Sequence, residues 1–488
     1  MRSMFSTNKK TIYIVCILLG MPLSALLAQV KSVTFTSSDK EIENAFVWAK
    51  DMALYYKKSA DDPVGPWYES ALPPRDAFCM RDASHQSIGA EILGLSQENH
   101  NMFSLFVVNV SASKNWCSYW EINKLGIPAP ADYRNDHEFW YNLPANFDVL
   151  NATWRLYLWT GDSSYIDDLS FVRFQKKSVR EYINSWVLSP DFLLKRPAHP
   201  NAPLPFNEGD SFHRCRGLPS YTEGVPNLKA GVDLVAALYR GLLTYSAILA
   251  EKGQKKKAAL YAKKAERYRQ HLEANWWDKG DARYYTYYSN DHEFGKDEGE
   301  TFLLWFDALK DKARIKNTIG HLASKTWNVE NTSYLPLLFY KHGYWDKARD
   351  YILYLSNPST KRREYPEVSF GVIEGVVQGL MGITPYAPTN TISTIYRING
   401  EGNASIKQLP IMHTMIEIAH LNSKQSVMSN TGKQVFKWKA MFYGHYKLAH
   451  VNGISLPVKI ETDQQGQPVS TIEVEIKPCK TINIKVGN

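Results

Sequence analysis

The sequence predicts a mainly α fold, an (α/α)6 barrel or six-hairpin toroid, followed by a C-terminal β-sandwich. Apolar residues recur at helical spacing from about residue 39 to residue 384. The helical segments form pairs that recur about every 55 residues, with long loops between some of the pairs. After Pro385, alternating and β-branched segments replace the helical pattern. An open α-solenoid is the alternative, but long loops rich in carboxylates favour a closed barrel.

The N-terminus has the pattern of a secretory signal peptide. Arg2, Lys9 and Lys10 precede an apolar run over residues 12–27, and Ala28 offers a small residue at the cleavage position. We therefore expect a signal peptide at 1–28, a barrel domain at 29–388 and a β-sandwich at 389–488. The mature protein is expected to be exported, periplasmic or secreted, without membrane insertion.

Helix signals in the first domain begin with Ser38, an N-cap candidate followed three residues later by Glu41. The turns at 160–162 and 251–253 join paired helices, and the regions 61–76, 188–228 and 357–368 form long loops. After the first helix, further helices are predicted over 84–110, 137–161, 165–187, 229–251, 255–275, 297–310, 312–326, 331–342, 344–355 and 368–382.

The second domain is predicted to contain short strands. Turn signals at Asn399-Gly400 and at 464–466 separate strand-like segments. These segments are TISTIYRI, SVMSN, VFKWKAMFYG, PVKIET, TIEVEIK and TINIKV.

Composition excludes several classes of function. Without residues 1–28 the 57 Lys and Arg become 54 against 49 Asp and Glu, a net charge of +5. This mild excess argues against a nucleic-acid partner. Cys79, Cys117, Cys215 and Cys479 lack paired metal-ligand spacing and indicate buried thiols or one or two disulfides. Aromatic residues, 13% of the chain, suit a thick core and also platforms that stack on sugar rings.

No motif for nucleophilic, zinc or nucleotide chemistry is present. The chain lacks G-x-S-x-G, H-E-x-x-H and a P-loop. The triplets at 136–138 and 291–293 both read Asp-His-Glu, but adjacent side chains point in different directions on a helix. We therefore expect neither a metal nor another cofactor.

Residues 75–86, RDAFCMRDASHQ, place four charges among apolar side chains and fit neither the helical nor the strand period. Buried charges persist when they are paired or serve chemistry. The segment is therefore either an Arg-Asp network that braces a loop or part of a binding site at one rim of the barrel.

Three stretches of the chain resemble the six-hairpin glycosidases, and in particular the alpha-L-rhamnosidase-like members. They are LNATWRLYLWTGDSSY at 150–165, the run at 224–253, and YPEVSFGVIEGVVQGLMGITPYAP at 365–388. The resemblance implies an (α/α)6 barrel that hydrolyses a glycosidic bond with inversion, using two carboxyl groups and no metal. One carboxyl protonates the leaving oxygen while the other activates water on the opposite face of the sugar.

The resemblance also suggests the catalytic residues. Glu208 and Asp210, in the longest loop, are loosely similar to the stretch that carries the general acid of trehalase-like enzymes, with Asp210 in that role. Glu364 and Glu367 precede the last barrel helix, where rhamnosidase-like enzymes carry the general base. Rhamnosidases have Arg-Asp-Glu with a catalytic Glu, whereas Ala77 follows Arg75-Asp76 here, so this position lacks the rhamnosidase acid.

The remaining charged loop residues are expected to bind substrate. The predicted set is Arg75, Asp76, Arg81, Asp82, His85, His213, Arg216 and Glu300. Acidic residues in the first turn of a helix, such as Glu300 or Glu367, also follow from the helix dipole alone. Glu374, a carboxylate inside an apolar helix, is a secondary candidate.

The sequence therefore predicts an exported, exo-acting, inverting glycoside hydrolase that removes a terminal sugar from an oligosaccharide or polysaccharide. Two alternatives remain. A lyase acting on uronic-acid-containing glycans would use Arg or His to neutralise the sugar carboxylate. An inactive glycan-binding protein would keep the cleft without the chemistry.

Overall fold

The structure is a computed structural model that describes residues 32–71, 73, 75–197, 216–225 and 227–487. Helices occupy most of the chain between residues 40 and 380. Two π-helical segments, Ser178–Tyr182 and Gly375–Leu380, and three 3₁₀ segments, Ala112–Lys114, Leu193–Lys195 and Ala387–Thr389, accompany the α-helices. In chain order the α-helices of the described residues are α1 (Lys40–Tyr55), α2 (Met80–Ile92), α3 (Ser96–Val108), α4 (Ala145–Thr160), α5 (Ser164–Asp167), α6 (Leu169–Lys177), α7 (Ile183–Ser185), α8 (Val232–Glu251), α9 (Lys255–Asn275), α10 (Glu300–Trp305), α11 (Lys312–Ala323), α12 (Val329–Lys341), α13 (Trp345–Ser356) and α14 (Pro366–Glu374).

Four of the predicted helices differ clearly from the structure. The segment 165–187 is divided into α5, α6, the π-helical segment Ser178–Tyr182 and α7, and of 297–310 only Glu300–Trp305 is helical. The segment 84–110 forms two helices, α2 and α3, because Gly94 adopts a φ of 82°, a left-handed conformation that ends a helix. The segment 137–161 is helical only from Ala145, and its first part forms the short strands Glu138–Phe139 and Tyr141–Asn142.

Six helices, α2, α4, α8, α10, α12 and α14, form a closed ring in which each packs against the next and α14 packs against α2. A second set lies against this ring: α1 on α14, α3 on α2, α9 on α8, α11 on α10 and α13 on α12. The two sets of helices differ in how much of their surface is buried. In α2 every residue except Arg81 is buried, whereas α9 buries a single stripe of residues at helical spacing.

The ring helices share one direction. Residues at or near the start of α2, α10, α12 and α14 line one cavity, and residues at or near their ends line another. Each helix carries a partial positive charge at its N-terminus. The first cavity is therefore surrounded by helix N-termini, which favour carboxylates.

Helix α8 is long and apolar enough to cross a membrane by composition alone. However, 83% of its most apolar window is buried within the protein. Its apolar sequence is explained by its place in the ring.

Two sheets contain most of the strands after residue 383. One has the order Thr34–Ser37, Ala404–Ile411, Thr414–Asn422, Gln425–Asn430, Thr481–Gly487, Leu448–Val451 and Ile454–Pro457. The other has the order Thr384–Tyr386, Thr391–Ile395, Phe436–Tyr443, Pro468–Ile476 and Lys459–Thr462. The first strand, Thr34–Ser37, thus joins a sheet formed by the end of the chain.

Short strands connect the helices. They are Ala77–Cys79, Glu121–Asn123, Tyr133–Asn135, Glu138–Phe139, Tyr141–Asn142, Arg216–Leu218, Leu228–Gly231, Trp277–Asp278, Arg283–Tyr284, Tyr287–Ser289 and Phe294–Gly295. Among them, Ala77–Cys79 pairs antiparallel with Glu121–Asn123 and leads directly into α2. The segment 75–86, expected to fit neither period, thus forms this strand and the first half of the ring helix α2.

Candidate active site

A cavity of about 410 Å³ lies at the N-terminal ends of the ring helices. Six carboxyl groups line it, and all but Glu223 lie near the start of a ring helix: Asp82, Glu223, Asp297, Glu298, Glu330 and Glu367. Asp82 lies in the first turn of α2, and Glu330 and Glu367 lie in the first turns of α12 and α14. Glu223 belongs to the loop before α8, and Asp297 and Glu298 directly precede α10.

The closed ring places some of these carboxyl groups on opposite walls. Counting around the ring, α2 is three helices from α10 in either direction, so Asp82 and Glu298 belong to opposite sides of the ring. An inverting glycosidase needs this kind of arrangement, with water activated on one face of the sugar and the leaving group on the other. Glu223 accepts from the side-chain amide of Asn142 at 3.2 Å and lines the cavity near Arg81 and Asp82.

Glu367 is a buried carboxyl at a helix start. Pro366 precedes it at the first position of α14, where a missing N–H costs nothing. Burial raises the pKa of Glu367 well above its usual range, and the nearby negative charges of Asp82 and Glu330 raise this pKa further. Glu367 is therefore suited to hold a proton near neutral pH.

Asp82 is held by two neighbours from its own segment. The Cys79 thiol donates to one carboxylate oxygen at 2.9 Å, and Arg81 Nε donates to the other at 3.1 Å. Burial raises the pKa of Cys79 well above its usual range, so the thiol stays protonated as the donor. These contacts fix Asp82 as an oriented acceptor.

Glu298 is anchored from the start of α12. The side-chain amides of Asn328 and Asn331 both donate to its Oε2 at 2.8 Å. Burial raises the pKa of Glu298, and Asp297 and Glu330 add to the rise. Glu298 is a second carboxyl in the cavity with a raised pKa.

Aromatic side chains form the floor of the cavity. His85 stacks on Tyr334, and Trp305 meets both rings edge to face. Burial lowers the pKa of His85 well below its usual value, and the charges of Arg155 and Arg81 act in the same direction. His85 is therefore a neutral imidazole. Tyr221 completes the wall and donates to the buried Asp148 at 3.1 Å.

A smaller cavity of about 180 Å³ adjoins the first one, because Arg81, Asp82 and Glu223 line both. Arg75 lines this side cavity and binds Glu121 through Nη1 at 2.8 Å. The predicted residues Arg75, Arg81, Asp82, His85 and Glu367 thus meet in two adjoining cavities.

Three other predicted residues lie elsewhere. Asp76, at a φ of 51°, is half exposed and pairs with Lys124. Glu364 is exposed, three residues before Glu367, and does not line the cavity. Glu300 is buried at the first position of α10, where it pairs with Arg283 at 2.8 Å and contacts His321 at 3.2 Å. It does not line the cavity.

The predicted residues Glu208, Asp210 and His213 lie outside the described residues, and so does the side chain of Arg216. Their roles stay predictions. Cys215 is outside them as well. The secondary candidate Glu374 pairs with Arg155 in the core, which accounts for a carboxylate inside an apolar helix.

Sequence reasoning did not select Glu223 or Glu330 for the site, and it considered the stretch 290–306, which contains Glu298, only as a less favoured catalytic region. Glu223 stands in an ordinary loop, and acidic residues near helix starts are common because of the dipole. The available signal was that each precedes or begins an apolar helix of the predicted ring. Within the described residues, no group of three or more His, Cys, Asp or Glu side chains could hold a metal ion.

Comparison with known structures identifies the fold of this chain. No protein-family model matches the chain, and no curated protein matches it. An alpha-L-rhamnosidase from Dictyoglumus thermophilum has a TM-score of 0.59 at 12% identity, covering 94% of this chain and 50% of that one. A rhamnosidase of Bacillus sp. GL1 has a TM-score of 0.54 at 12% identity, covering 81% of this chain and 40% of that one.

The likeness extends to a third structure of another activity class. A kojibiose phosphorylase homologue from the human microbiome has a TM-score of 0.54 at 8% identity, covering 92% of this chain and 68% of that one. The chain spans half or less of the length of the two rhamnosidases. At such identities the likeness concerns the fold, and this chain has a six-hairpin glycosidase-like fold.

Proposed function

We propose that the protein is a glycoside hydrolase that uses Glu367 as general acid and a second carboxylate of the same cavity, Glu223, as general base. The observation that carries the proposal is the position of Glu367, a buried carboxyl in the first turn of α14 that lines a cavity with five more carboxyl groups and whose pKa is raised by burial. A general acid must hold its proton at the working pH. Glu367 would thus be the acid, although the family resemblance suggested the base at this position.

In the proposed reaction, Glu367 gives its proton to the glycosidic oxygen as the bond from that oxygen to the anomeric carbon breaks. Glu223 takes a proton from a water molecule, and the water oxygen bonds to the anomeric carbon from the other face. The product has the inverted configuration. Asp82, fixed by Cys79 and Arg81, would accept hydrogen bonds from sugar hydroxyls. Asp210, which lies outside the described residues, stays a candidate for a catalytic role.

The charge of the cavity disfavours a uronate lyase. Among the described residues that line it, Arg81 is the one permanent cation, against six carboxyl groups. His85 is neutral and lies in the floor. A lyase needs cations to neutralise the sugar carboxylate, whereas this cavity would repel it. A neutral sugar is therefore the proposed substrate.

Three further features of the proposal concern architecture and location. The closed ring and the helices packed on it suit an (α/α)6 barrel, and the two C-terminal sheets suit a β-sandwich. Exo-action, the removal of a terminal sugar, is part of the same proposal. The charged and apolar pattern of residues 1–28 supports export.

The test is a screen of the purified protein against nitrophenyl glycosides and neutral and uronic oligosaccharides. For any substrate that is cleaved, proton NMR of the first product gives the anomeric configuration. An inverted, saturated product supports the proposal. A product that absorbs in the ultraviolet as an unsaturated uronate would instead establish the lyase, and binding without turnover would establish the inactive binder.

Substitutions at the two carboxyl groups separate their roles. Glu367→Gln should lose most activity on poor leaving groups but keep more of it on dinitrophenyl glycosides, which need no acid. Glu223→Gln should lose activity on both kinds of substrate, because the attacking water still needs a base. Equal losses on both leaving groups for Glu367→Gln would contradict its role as acid.

A further inference from the structure

The cavity at the ends of the ring helices has a lining of opposite charge to that of the candidate active site. Its volume is about 230 Å³, and the strand Thr384–Tyr386 contributes to its wall. Its basic residues are Arg155 of α4, Arg240 of α8, Lys341 at the last position of α12, and Arg397, which follows the strand Thr391–Ile395. Among the described residues of this lining, Asp307 is the one acidic side chain. None of the described residues lines both this cavity and the main one.

Two of the four basic residues have carboxylate partners. Arg240 pairs with Asp307, and Arg155 pairs with the buried Glu374. Both arginine side chains remain partly exposed, at 19% and 18% of their surface. Each of these two pairs is neutral, so neither explains a net positive charge.

The other two basic residues have no carboxylate partner in the described part of the chain. Arg397 Nη1 donates to the backbone carbonyls of Gln378 and Gly379, at 3.0 and 2.6 Å, in the π-helical segment Gly375–Leu380. Lys341 is exposed, and its ammonium makes no hydrogen bond or ion pair with a described residue. The lining therefore carries two positive charges without a counter-charge.

Helix dipoles account for part of this positive charge. The C-terminal end of a helix carries about half a negative charge, and its effect falls off within the last turn. Arg397 and Lys341 each meet one such end, so an excess of about one positive charge remains. Although Lys341 is exposed, the surrounding walls remove part of its hydration and lower its pKa. The charges of Arg155 and Arg397 also lower this pKa, whereas Asp307 and Glu374 oppose them.

Uncharged hydrogen-bond donors line the same cavity. The side chain of Asn151 is only 7% exposed, and its oxygen accepts from Thr244 at 3.4 Å. Its amide nitrogen donates to no described residue, and the same holds for the amide nitrogen of Gln378. A nearly buried donor without an acceptor is costly, and a ligand that accepts removes this cost. The lining thus offers both positive charge and free N–H groups.

We propose that this cavity binds a small oxyanion such as inorganic phosphate, which accepts hydrogen bonds from Lys341 and Asn151. A cleft lined by charges of one sign concentrates the electrostatic field and attracts counter-ions. Lys341 belongs to the ring, whereas Arg397 belongs to the segment that follows the second sheet's strand. A bound anion would therefore stabilise the contact between the ring and this sheet. The proposal does not depend on the proposed function, because it concerns a separate cavity and needs no sugar.

The test is a titration of the purified full-length protein with phosphate by calorimetry, at constant ionic strength set with chloride and without sugar. Phosphate should bind saturably and raise the unfolding temperature as its concentration rises. Lys341→Met should weaken phosphate binding about tenfold, as loss of one charged hydrogen bond predicts. Competition by sulfate or by acetate then shows whether a tetrahedral anion or a carboxylate fits the site better.

Asn151→Asp is a second variant, which keeps the shape of the side chain but places a carboxylate in the cavity. This carboxylate would supply the missing counter-charge, so phosphate binding should be lost. Lys316→Met is the matched control, because Lys316 on α11 is also an exposed lysine without an ion-pair partner among the described residues, but does not line the cavity. It should bind phosphate like the parent.

Three results would overturn the proposal. The first is the absence of saturable phosphate binding by the folded parent. The second is unchanged affinity in folded Lys341→Met, or in folded Asn151→Asp if Lys341→Met does not fold. The third is an equal loss in Lys341→Met and Lys316→Met, which would mean that phosphate responds to the total charge of the protein. Thermal unfolding of each variant shows whether its fold is kept.

Discussion

The imidazole of His85 stacks on the ring of Tyr334, with the ring centroids 3.6 Å apart and the planes inclined by 24°. This contact joins α2 to α12 across the floor of the cavity. His85 Nε2 lies 3.1 Å from Ser333 Oγ, and Nδ1 has no partner among the described residues. The stack therefore holds a neutral imidazole in a site where protonation is unfavourable.

This relationship predicts a loss of stability in acid. The folded pKa of His85 lies well below its unfolded value of about 6.5, so the unfolded chain binds more protons as the pH falls below about 6.5. The free energy of unfolding should decrease in that range, and less steeply in His85→Gln. Urea denaturation from pH 7.5 to 5 measures both slopes. Parallel slopes would show that His85 does not contribute.

A second prediction compares two glutamates three residues apart, both of which the sequence suggested. Glu367 is buried in the cavity, whereas Glu364 is exposed outside it. On a nitrophenyl glycoside, Glu367→Gln should lower kcat by about a hundredfold or more. Glu364→Gln should retain nearly full activity. A large loss in Glu364→Gln with an intact fold would place the catalytic group outside the cavity described above.

The sequence allowed part of this site to be predicted, for physical reasons. Arg81, Asp82 and His85 were recognised because charges packed among apolar residues persist when they are paired or serve chemistry, although these residues lie in the regular helix α2. Glu223 was not, because whether a loop carboxylate faces a cavity depends on how six distant helices close into a ring. Similarly, Gly94 divides the predicted helix 84–110 through its backbone conformation, which the apolar spacing on either side does not reveal.

A third prediction concerns the core pair of Glu374 and Arg155. Glu374 is buried in α14 and pairs with Arg155 of α4, whose guanidinium also lies over the Trp305 ring at 4.7 Å. Glu374→Ala leaves this cation without its partner and should lower the free energy of unfolding by about 3–5 kcal/mol. Chemical denaturation at pH 7 measures the loss.

The double variant Glu374→Leu with Arg155→Met should lose less stability than Glu374→Ala, because it removes both charges and fills the space. A greater loss in the double variant would mean that the pair itself, and not the orphaned charge, governs stability. Activity should be little changed in whatever fraction remains folded, since neither residue lines the main cavity.

A fourth prediction concerns Glu330 and the pH dependence of catalysis. Its negative charge raises the pKa of both Glu367 and Glu298. Glu330→Gln removes that charge while keeping the shape of the side chain, so both pKa values should fall. If Glu367 is the general acid, the alkaline limb of kcat/KM reports its deprotonation in the free enzyme and should move to lower pH.

The matched control for this shift is Glu91→Gln. Glu91 is also buried, and burial raises its pKa to about 7, but it accepts from Asn99 at 2.8 Å in the core and does not line the cavity. Its substitution should leave the alkaline limb in place. If the limb stays fixed in an active Glu330→Gln, then neither Glu367 nor Glu298 is the group whose proton is lost. The acid would then have to be a carboxyl beyond the reach of the Glu330 charge, which makes Asp210 the next residue to test.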